Sequence, residues 1–321
     1  PPLDRLRDRL GETLWSMHGQ PPLSPLVIGL CLKWGGARWE MLLAALFHVL
    51  AAVACGAMVV VLRRGGRSAA ISVAVALGFS LLPGFLAYEY YAFTTLPVMA
   101  LLLCACVPLQ RAVSSGQASA WFWFLLLAAL VVNIRNVFHL AWWCACLGLM
   151  LRCGRLPWRR ALVVAALPAA LAILPFAKNA IVHGSFVSST WMGFGLARKT
   201  YHQDALEVRV QRVQAGQADP ITAVPIYGSV AEFAKVVPMP PPSGVPILDR
   251  LEKDWALDKA LVRTGDLEEE ADGVPNYHHA IYIEASKRMA AVGLAEIQKH
   301  PRAYARNVVA TFWQFFEPSK S

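Results

Sequence analysis

Acidic residues are almost absent from a long part of this sequence. Between Glu40 and Asp204 the only carboxylate is Glu89, whereas arginines recur in short segments between apolar runs. A soluble domain keeps a charged surface, so a stretch this apolar and this poor in acids excludes an ordinary soluble fold. The mean hydropathy of +0.44 and the 56% content of hydrophobic residues agree with this exclusion.

Cysteine is absent after Cys153. The seven cysteines lie in or next to apolar runs, where we expect them to be small core residues. Cys104/Cys106 and Cys144/Cys146 are two residues apart, so on a helix the members of each pair point in nearly opposite directions and do not clamp a metal. A second half without cysteine needs no disulfide pairing and suits an oxidising compartment.

Several common catalytic and binding signatures are also missing. The sequence has no P-loop, no G-x-S-x-G, no H-E-x-x-H and no dinucleotide-binding fingerprint. Residues 1–177 carry fourteen basic and five acidic side chains, and residues 178–321 carry sixteen of each. The excess arginine lies in short loops between apolar runs, so the pI of about 9.4 does not indicate nucleic-acid binding.

The apolar runs predict an all-α polytopic membrane protein with about six transmembrane helices. The run over 120–151 is either one long helix or two short helices that meet at "NIRN", residues 133–136. The positive-inside rule favours two helices, because three arginine-bearing segments then lie in the cytoplasm: 63–68, 110–119 and 152–160. The other predicted spans are 41–62, 69–87, 91–109 and 161–177.

We divide the chain into three parts. Residues 1–40 form an outer loop and an interfacial juxtamembrane helix over 21–34, which starts at Pro21-Pro22 and is too short to span. Residues 41–177 form the transmembrane helical domain of a multi-pass cell (inner) membrane protein. Residues 178–321 form a mostly helical region on the outer, periplasmic side, with an amphipathic helix over 277–300. Because the sequence starts at Pro1 and ends abruptly, we expect a fragment.

Polar residues interrupt the predicted hairpin where its tip would lie at membrane depth. Arg135 and His139 are four residues apart, and Lys178 and Asn179 occur where the last predicted span ends. Polar groups at membrane depth are costly and usually functional, and this set suits a lipid phosphate or pyrophosphate. The alternative is that the cations only anchor helices at the interface.

Carboxylates at the predicted outer end are candidates for a general base. Glu89 lies between two predicted spans, and Asp4 and Asp8 precede the juxtamembrane helix. A base must reach the hydroxyl from which it takes a proton. The alternatives are an exposed interfacial Glu89 and a solvated helix face that carries Asp4 and Asp8. Tyr277-His278-His279 is a weak metal candidate, since adjacent histidines on a helix diverge.

Five segments in a fixed order resemble a known family: "HGQPPL", "AYEYYAFTTLPVMALLL", "NIRNVFHLAWW", "KNAIVHGSFVSSTWMG" and "HPRAY". They are similar to segments of the polytopic membrane glycosyltransferases of the GT-C superfamily, in the dolichyl-phosphate-mannose–protein mannosyltransferase-like group. The resemblance covers most of residues 12–200 and, more weakly, 275–317.

This resemblance implies an inverting transfer of a sugar from a polyprenyl-phosphate donor to a glycan, lipid or protein acceptor on the outer face of the membrane. It implies that an acid of the first outer loop, for which Asp4 and Asp8 are the candidates here, acts as base or orients the acceptor, and that Glu89 matches a second acidic loop. The sequence assigns no cofactor, and a divalent metal is left open. The donor phosphate would be held by four residues: Arg135, His139, Lys178 and Asn179.

Two other functions are compatible with the sequence. A transporter or flippase of a lipid-linked intermediate would show broken helices and internal repeats, but no repeat is visible. A non-catalytic membrane scaffold would use its exported half to bind a partner, and Glu89 and Arg135 would then be dispensable.

Overall fold

The structure is a computed structural model that describes residues 3–90, 94–154, 156–250 and 276–314. The regular secondary structure of these residues is helical, without strands. The α-helices are α1 (Leu3–Asp8), α2 (Leu10–Ser16), α3 (Leu23–Gly35), α4 (Trp39–Arg64), α5 (Ala69–Ser80), α6 (Pro83–Tyr90), α7 (Thr95–Ser115), α8 (Ala118–Ile134), α9 (Leu140–Cys153), α10 (Trp158–His183), α11 (Trp191–Lys199), α12 (Leu206–Gln214), α13 (Val230–Ala234), α14 (Pro246–Asp249), α15 (Ile281–Lys299) and α16 (Pro301–Gln314).

The chain divides into two compact units. Unit 1 consists of Leu3–Trp15 and Gln20–Ser188 and holds the helices up to α10. Unit 2 consists of Ser16–Gly19 and Ser189–Ser321. The predicted boundaries after residues 40 and 177 fall inside α4 and α10, whereas the division between the units follows Ser188.

Unit 1 has the surface of a membrane protein. Three of its described stretches are long and apolar enough to cross a membrane: Leu23–Arg64, Thr95–Ser115 and Trp158–His183. Large hydrophobic side chains on α4, α5 and α10 are exposed, among them Val49, Val73, Leu77, Val163 and Leu167. Extended exposed apolar surface marks a contact with lipid or another partner. These helices indicate association with a membrane, and the number of spans and their sides stay predictions.

The predicted span over 69–87 is two helices rather than one continuous helix. α5 ends at Ser80 and α6 begins at Pro83. Proline lacks a backbone N–H and disfavours a helical residue before it, which favours a break at this point. With 12 residues, α5 is about 18 Å long, which is short of a hydrocarbon core of about 30 Å.

The run over 120–151 folds as two antiparallel helices, as the distribution of arginines predicts. α8 ends at Ile134 and α9 begins at Leu140. Near the start of α9, Trp143 donates its Nε1–H to the carbonyl of Leu125 at 3.2 Å. A Cβ on Gly154, just after α9, would lie 3.1 Å from the indole nitrogen of Trp121 at the start of α8. At 17 and 14 residues the helices are about 25 Å and 21 Å long, shorter than the hydrocarbon core of about 30 Å.

Three arginine-bearing segments share one end of unit 1. Arg64 at the end of α4 donates from Nη1 to the carbonyl of Val107 in α7 at 2.8 Å. A Cβ on Gly116, just after α7, would lie 3.7 Å from the carbonyl oxygen of Gly154, just after α9. The ends of α4, α7 and α9 are therefore together, as the positive-inside rule requires of loops on a common side.

The predicted juxtamembrane helix is α3. Gly36 ends it with a φ of 52°, and a 3-10 turn over Gly36–Arg38 leads into α4. α1 packs closely on α3 at Gly29, where a Cβ would lie 3.0 Å from the carbonyl oxygen of Leu6 in α1. The helix and its end are confirmed, and its position in the membrane interface stays a prediction.

Unit 2 is organised around α15. Its buried face carries Ile281, Ala285 and Met289, which pack with Phe194 of α11 and Phe233 of α13. This is the apolar face predicted for an amphipathic helix over 277–300, although the helix starts four residues later. The predicted export of this region stays a prediction.

Candidate functional site

The hairpin tip, residues 133–139 between α8 and α9, is fixed by a buried amide. Asn133 is only 6% exposed. Its Nδ2 donates to the carbonyl of Ala129 at 2.9 Å and to the carbonyl of Leu171 in α10 at 2.8 Å. Because an unpaired amide is costly in an apolar interior, these bonds hold the end of α8 against α10.

Arg135 is the first residue after α8 and has an extended backbone, with φ −137° and ψ 126°. Its guanidinium is half-buried and donates from Nη1 to Oγ1 of Thr95, the first residue of α7, at 3.4 Å. The cation therefore lies where the hairpin tip meets the start of α7.

His139 precedes α9 and caps it. Its Nδ1 accepts a hydrogen bond from the backbone N–H of Ala141 at 3.4 Å, so Nε2 carries the proton of the neutral ring. The ring edge lies against Phe176 of α10, with 5.0 Å between the ring centroids. The side chain is exposed, and its Nε2–H is a donor at the hairpin tip.

Asn179 lies one helical turn beyond Phe176 on α10. It is 1% exposed, and its Nδ2 donates to the carbonyl of Val187 at 2.7 Å. Its buried Oδ1 accepts no hydrogen bond from the described residues. Lys178, next to it, is half-buried. His139 at the hairpin tip contacts Phe176, and Lys178 and Asn179 follow Phe176 within one turn of α10. The structure therefore brings His139 close to the part of α10 that carries these two predicted phosphate ligands.

An apolar cavity of about 200 Å³ lies between α3, α4, α7 and α8. Ile134 and Thr94 are part of its wall, and they are the sequence neighbours of Arg135 and Thr95. Arg135 and Thr95, which are joined by a hydrogen bond, therefore each follow a wall residue directly in the chain, and neither lines the cavity itself. The remaining wall is apolar apart from Ser24 and consists of Leu23, Val27, Ile28, Leu43, Leu46, Phe47, Leu50, Pro97 and Leu101.

Glu89 lies near the end of α6, and its side chain is outside the described part of the structure. Phe85 of the same helix is buried with Phe47 of α4 and Leu96 of α7. The backbone of α6 is therefore packed on the helices that form the apolar cavity.

Asp4 and Asp8 belong to α1 and have different environments. Asp8 is exposed and accepts from Nε of Arg7 at 2.8 Å, a hydrogen bond that holds the pKa of this carboxyl below its usual range. Asp4 is half-buried, and its buried Oδ1 has no hydrogen-bond partner among the described residues. Because the Asp8 carboxylate is engaged by Arg7 whereas Asp4 keeps an unpartnered oxygen, Asp4 is the better candidate of the two.

A metal site is not evident in the residues that the structure describes. They contain no group of three or more His, Cys, Asp or Glu side chains arranged to hold an ion. Within the predicted histidine motif, Nδ1 of His279 instead accepts from the backbone N–H of Ile281 at 3.0 Å.

Sequence reasoning missed a buried polar network in unit 2. The Nδ1 of His18 is 2.7 Å from Oγ1 of Thr190, and its Nε2 is 2.9 Å from the carbonyl oxygen of His278. A carbonyl only accepts, so Nε2 carries the proton, and Thr190 donates to Nδ1 of the neutral ring. His18 and Thr190 both lie in segments that carry the family resemblance, but no feature of a single sequence pairs residues 172 positions apart.

Comparisons with protein-family models, with curated proteins and with solved structures find no match to this chain. Its function therefore has to be inferred from the residues of the site.

Proposed function

We propose that this protein is a membrane glycosyltransferase that transfers a sugar from a polyprenyl-phosphate donor to an acceptor on the outer face of the membrane. The observation that carries the proposal is the apolar cavity whose wall includes Ile134 and Thr94, the chain neighbours of Arg135 and of its hydrogen-bond partner Thr95. A cation close to an apolar cavity suits an amphiphile with a hydrocarbon chain and a phosphate. The ordered motifs that resemble GT-C glycosyltransferases favour a lipid-linked sugar over other amphiphiles.

The cavity would hold only part of the donor. At about 200 Å³ it is smaller than a typical pocket for a whole ligand, which is about 300 Å³ or more. The prenyl units next to the phosphate would occupy it, and the rest of the chain would extend along the apolar exterior of unit 1.

The proposed reaction is a single displacement. The acceptor hydroxyl oxygen forms a bond to the anomeric carbon of the sugar, while the bond from that carbon to the phosphate oxygen breaks. The hydroxyl proton passes to a carboxylate, for which Asp4 and Glu89 are the candidates. Polyprenyl phosphate leaves with the electron pair of the broken bond, and the anomeric configuration is inverted.

The cations of the site would stabilise the departing phosphate. As the bond breaks, negative charge grows on the phosphate oxygens, and fixed donors stabilise it most strongly where water is excluded. Arg135 and the Nε2–H of His139 are such donors at the hairpin tip, with Lys178 as a further cation on α10. Asn179 is buried, and its amide would position the end of α10 rather than carry charge.

Transfer of a labelled sugar tests this function. The complete gene product in membranes is assayed with polyprenyl-phosphate donors, and Arg135→Ala is compared with the wild type and with Arg38→Ala, which changes an exposed arginine that does not line the cavity. We expect wild-type transfer, a loss of about 100-fold or more in Arg135→Ala and little change in Arg38→Ala.

Other outcomes distinguish the alternatives. Transfer that Arg135→Ala leaves unchanged would retain the enzyme and reject this site. Absence of transfer by every form, with several donors, would favour a flippase of a lipid-linked intermediate or a scaffold.

A further inference from the structure

A second groove lies at the arginine-bearing end of unit 1. One cavity of about 460 Å³ lies between α4, α7 and α8, and its apolar wall includes Val53, Trp123 and Leu127. A cavity of about 720 Å³ at the ends of α4 and α7 is lined by Arg64 and Arg111, among others. Arg111 lines both cavities, so we treat them as one basic groove with an apolar wall and a cationic end.

No acidic side chain in the described part of unit 1 pairs with Arg64 or Arg111 of the basic groove. The sequence has no acidic residue from 41 to 88 or from 90 to 203. Glu40 is at the opposite end of the 26-residue helix α4, about 36 Å from Arg64 along the axis. The acids Asp8 and Glu12 pair with arginines of their own segment. Arg64 donates to a carbonyl, and the guanidinium of Arg111 makes no hydrogen bond or ion pair with the described residues.

The groove also offers a hydrogen-bond acceptor. Gln110 lines the cationic end, and its Nε2 donates to the carbonyl of Val61 at 3.2 Å. Its Oε1 is buried and has no hydrogen-bond partner among the described residues. This oxygen can accept from a hydroxyl of a ligand, but it cannot bind a phosphate oxygen.

We propose that the basic groove binds an anionic phospholipid of the bilayer. The lipid phosphate lies between Arg64 and Arg111, and an acyl chain follows the apolar wall past Trp123 towards Val53. Trp123 is 55% exposed and Val53 is 45% exposed, so this wall opens onto the lipid-facing exterior of unit 1. A phospholipid fits better than free phosphate because the apolar wall continues directly from the cations. This site is at the other end of unit 1 from the hairpin tip and does not depend on the proposed sugar transfer.

Lipid retention tests the proposal. The complete gene product in detergent micelles is mixed with phosphatidylglycerol or with phosphatidylcholine that has the same acyl chains, and bound lipid is counted by native mass spectrometry. We expect phosphatidylglycerol to be retained in preference to phosphatidylcholine. Arg111→Gln should weaken phosphatidylglycerol binding about fivefold, and a second change, Arg64→Gln, should weaken it further by a similar factor.

Two further variants separate a specific site from a general charge effect. Arg152→Gln removes an exposed arginine of the last turn of α9 that does not line the groove, and it should leave binding unchanged. Trp123→Ala should weaken binding without changing charge, because it removes part of the exposed apolar wall. Thermal unfolding of each variant checks that its fold is retained.

Three results would overturn the proposal. One is equal retention of the two lipids by the wild type. Another is an equal loss of binding in Arg152→Gln and Arg111→Gln, which would show a general effect of charge. The third is displacement of phosphatidylglycerol by excess inorganic phosphate, which would assign the cations to a free anion.

Discussion

Single residues of the hairpin tip have separate roles. Asn133 is buried and joins α8 to α10, whereas Arg135 and His139 keep donor groups at the hairpin tip. These residues were predictable, since a polar side chain inside a long apolar run stands out from its neighbours. Thr95, the partner of Arg135, was not predictable, because a threonine at the start of an apolar helix is an ordinary feature.

Removal of the Asn133 amide tests its structural role. Asn133→Ala breaks two hydrogen bonds, including the one to the carbonyl of Leu171, and we expect unit 1 to lose about 1 kcal/mol of stability. Gln117→Ala, which changes an exposed amide, should have almost no effect. Unfolding in micelles measures both, and equal stabilities of the two variants would contradict the role given to Asn133.

Replacement of single carboxylates tests the choice of base. The hydrogen bond from Arg7 lowers the pKa of Asp8, so Asp8→Asn should reduce sugar transfer by less than about tenfold. Of Asp4→Asn and Glu89→Gln, the variant that removes the base should reduce the rate of sugar transfer by about 100-fold to 10,000-fold. Initial rates at equal expression measure these effects. A large loss confined to Asp8→Asn would contradict this assignment.

His202 predicts a pH dependence of unit 2. Burial and the neighbouring Arg209 lower the pKa of His202 from 6.5 to about 4. Between these pH values the unfolded chain binds a proton that the folded unit does not, so stability should fall as the pH is lowered through this window. His202→Gln should flatten the dependence, as measured by amide exchange in α12. An unchanged pH profile of stability in this variant would contradict the role given to His202.

At the scale of elements, apolar length and arginine placement predicted most helices of unit 1. The features that were not predicted are a break within one apolar run and the extension of a helix beyond its apolar run. Pro83 lies within an apolar run whose composition continues on both sides, so hydropathy gave no sign of the break between α5 and α6. α10 continues to His183 beyond its apolar run, because a helix satisfies its backbone hydrogen bonds whether its side chains are apolar or polar.

The packing of α11 on α15 in unit 2 depends on a glycine. A Cβ on Gly193 would lie 2.0 Å from the carbonyl oxygen of Ser286, so Gly193→Ala should force the helices apart and cost about 1–3 kcal/mol or more. Gly195 is on the same helix with no atom within 4 Å of its Cβ position, and Gly195→Ala should stabilise α11 by up to about 1 kcal/mol. Denaturant unfolding compares them. A similar loss in both variants would contradict the close approach.

For the whole molecule, the shared end of α4, α7 and α9 restricts the membrane topology. Reporter fusions after residues 66, 116 and 154 should all report the same side, which the positive-inside rule assigns to the cytoplasm. A fusion after residue 188 should report the outer side. If one of the three loops is found on the side opposite to the other two, the packing of unit 1 is contradicted. If all three loops are found outside, only the predicted orientation is contradicted.

The assignment of Ser16–Gly19 to unit 2 and the pairing of His18 with Thr190 could not be predicted from the sequence. Both depend on contacts between residues far apart in the chain, and hydrophobic periodicity reports only which face of a helix is buried. The general helical character and the hairpin followed from local patterns, and the apolar cavity required the packing of four helices that no local pattern specifies.

A polyprenyl phosphate with a photoreactive group near its phosphate gives the most direct test of a donor in the apolar cavity. The complete gene product would be cross-linked in membranes, digested and mapped by mass spectrometry. Adducts on Val27, Leu46 and Leu101, reduced by unlabelled polyprenyl phosphate and by Arg135→Ala but not by Arg38→Ala, are the predicted result. Adducts confined to other helices, or adducts insensitive to the unlabelled competitor, would contradict a donor site beside Arg135.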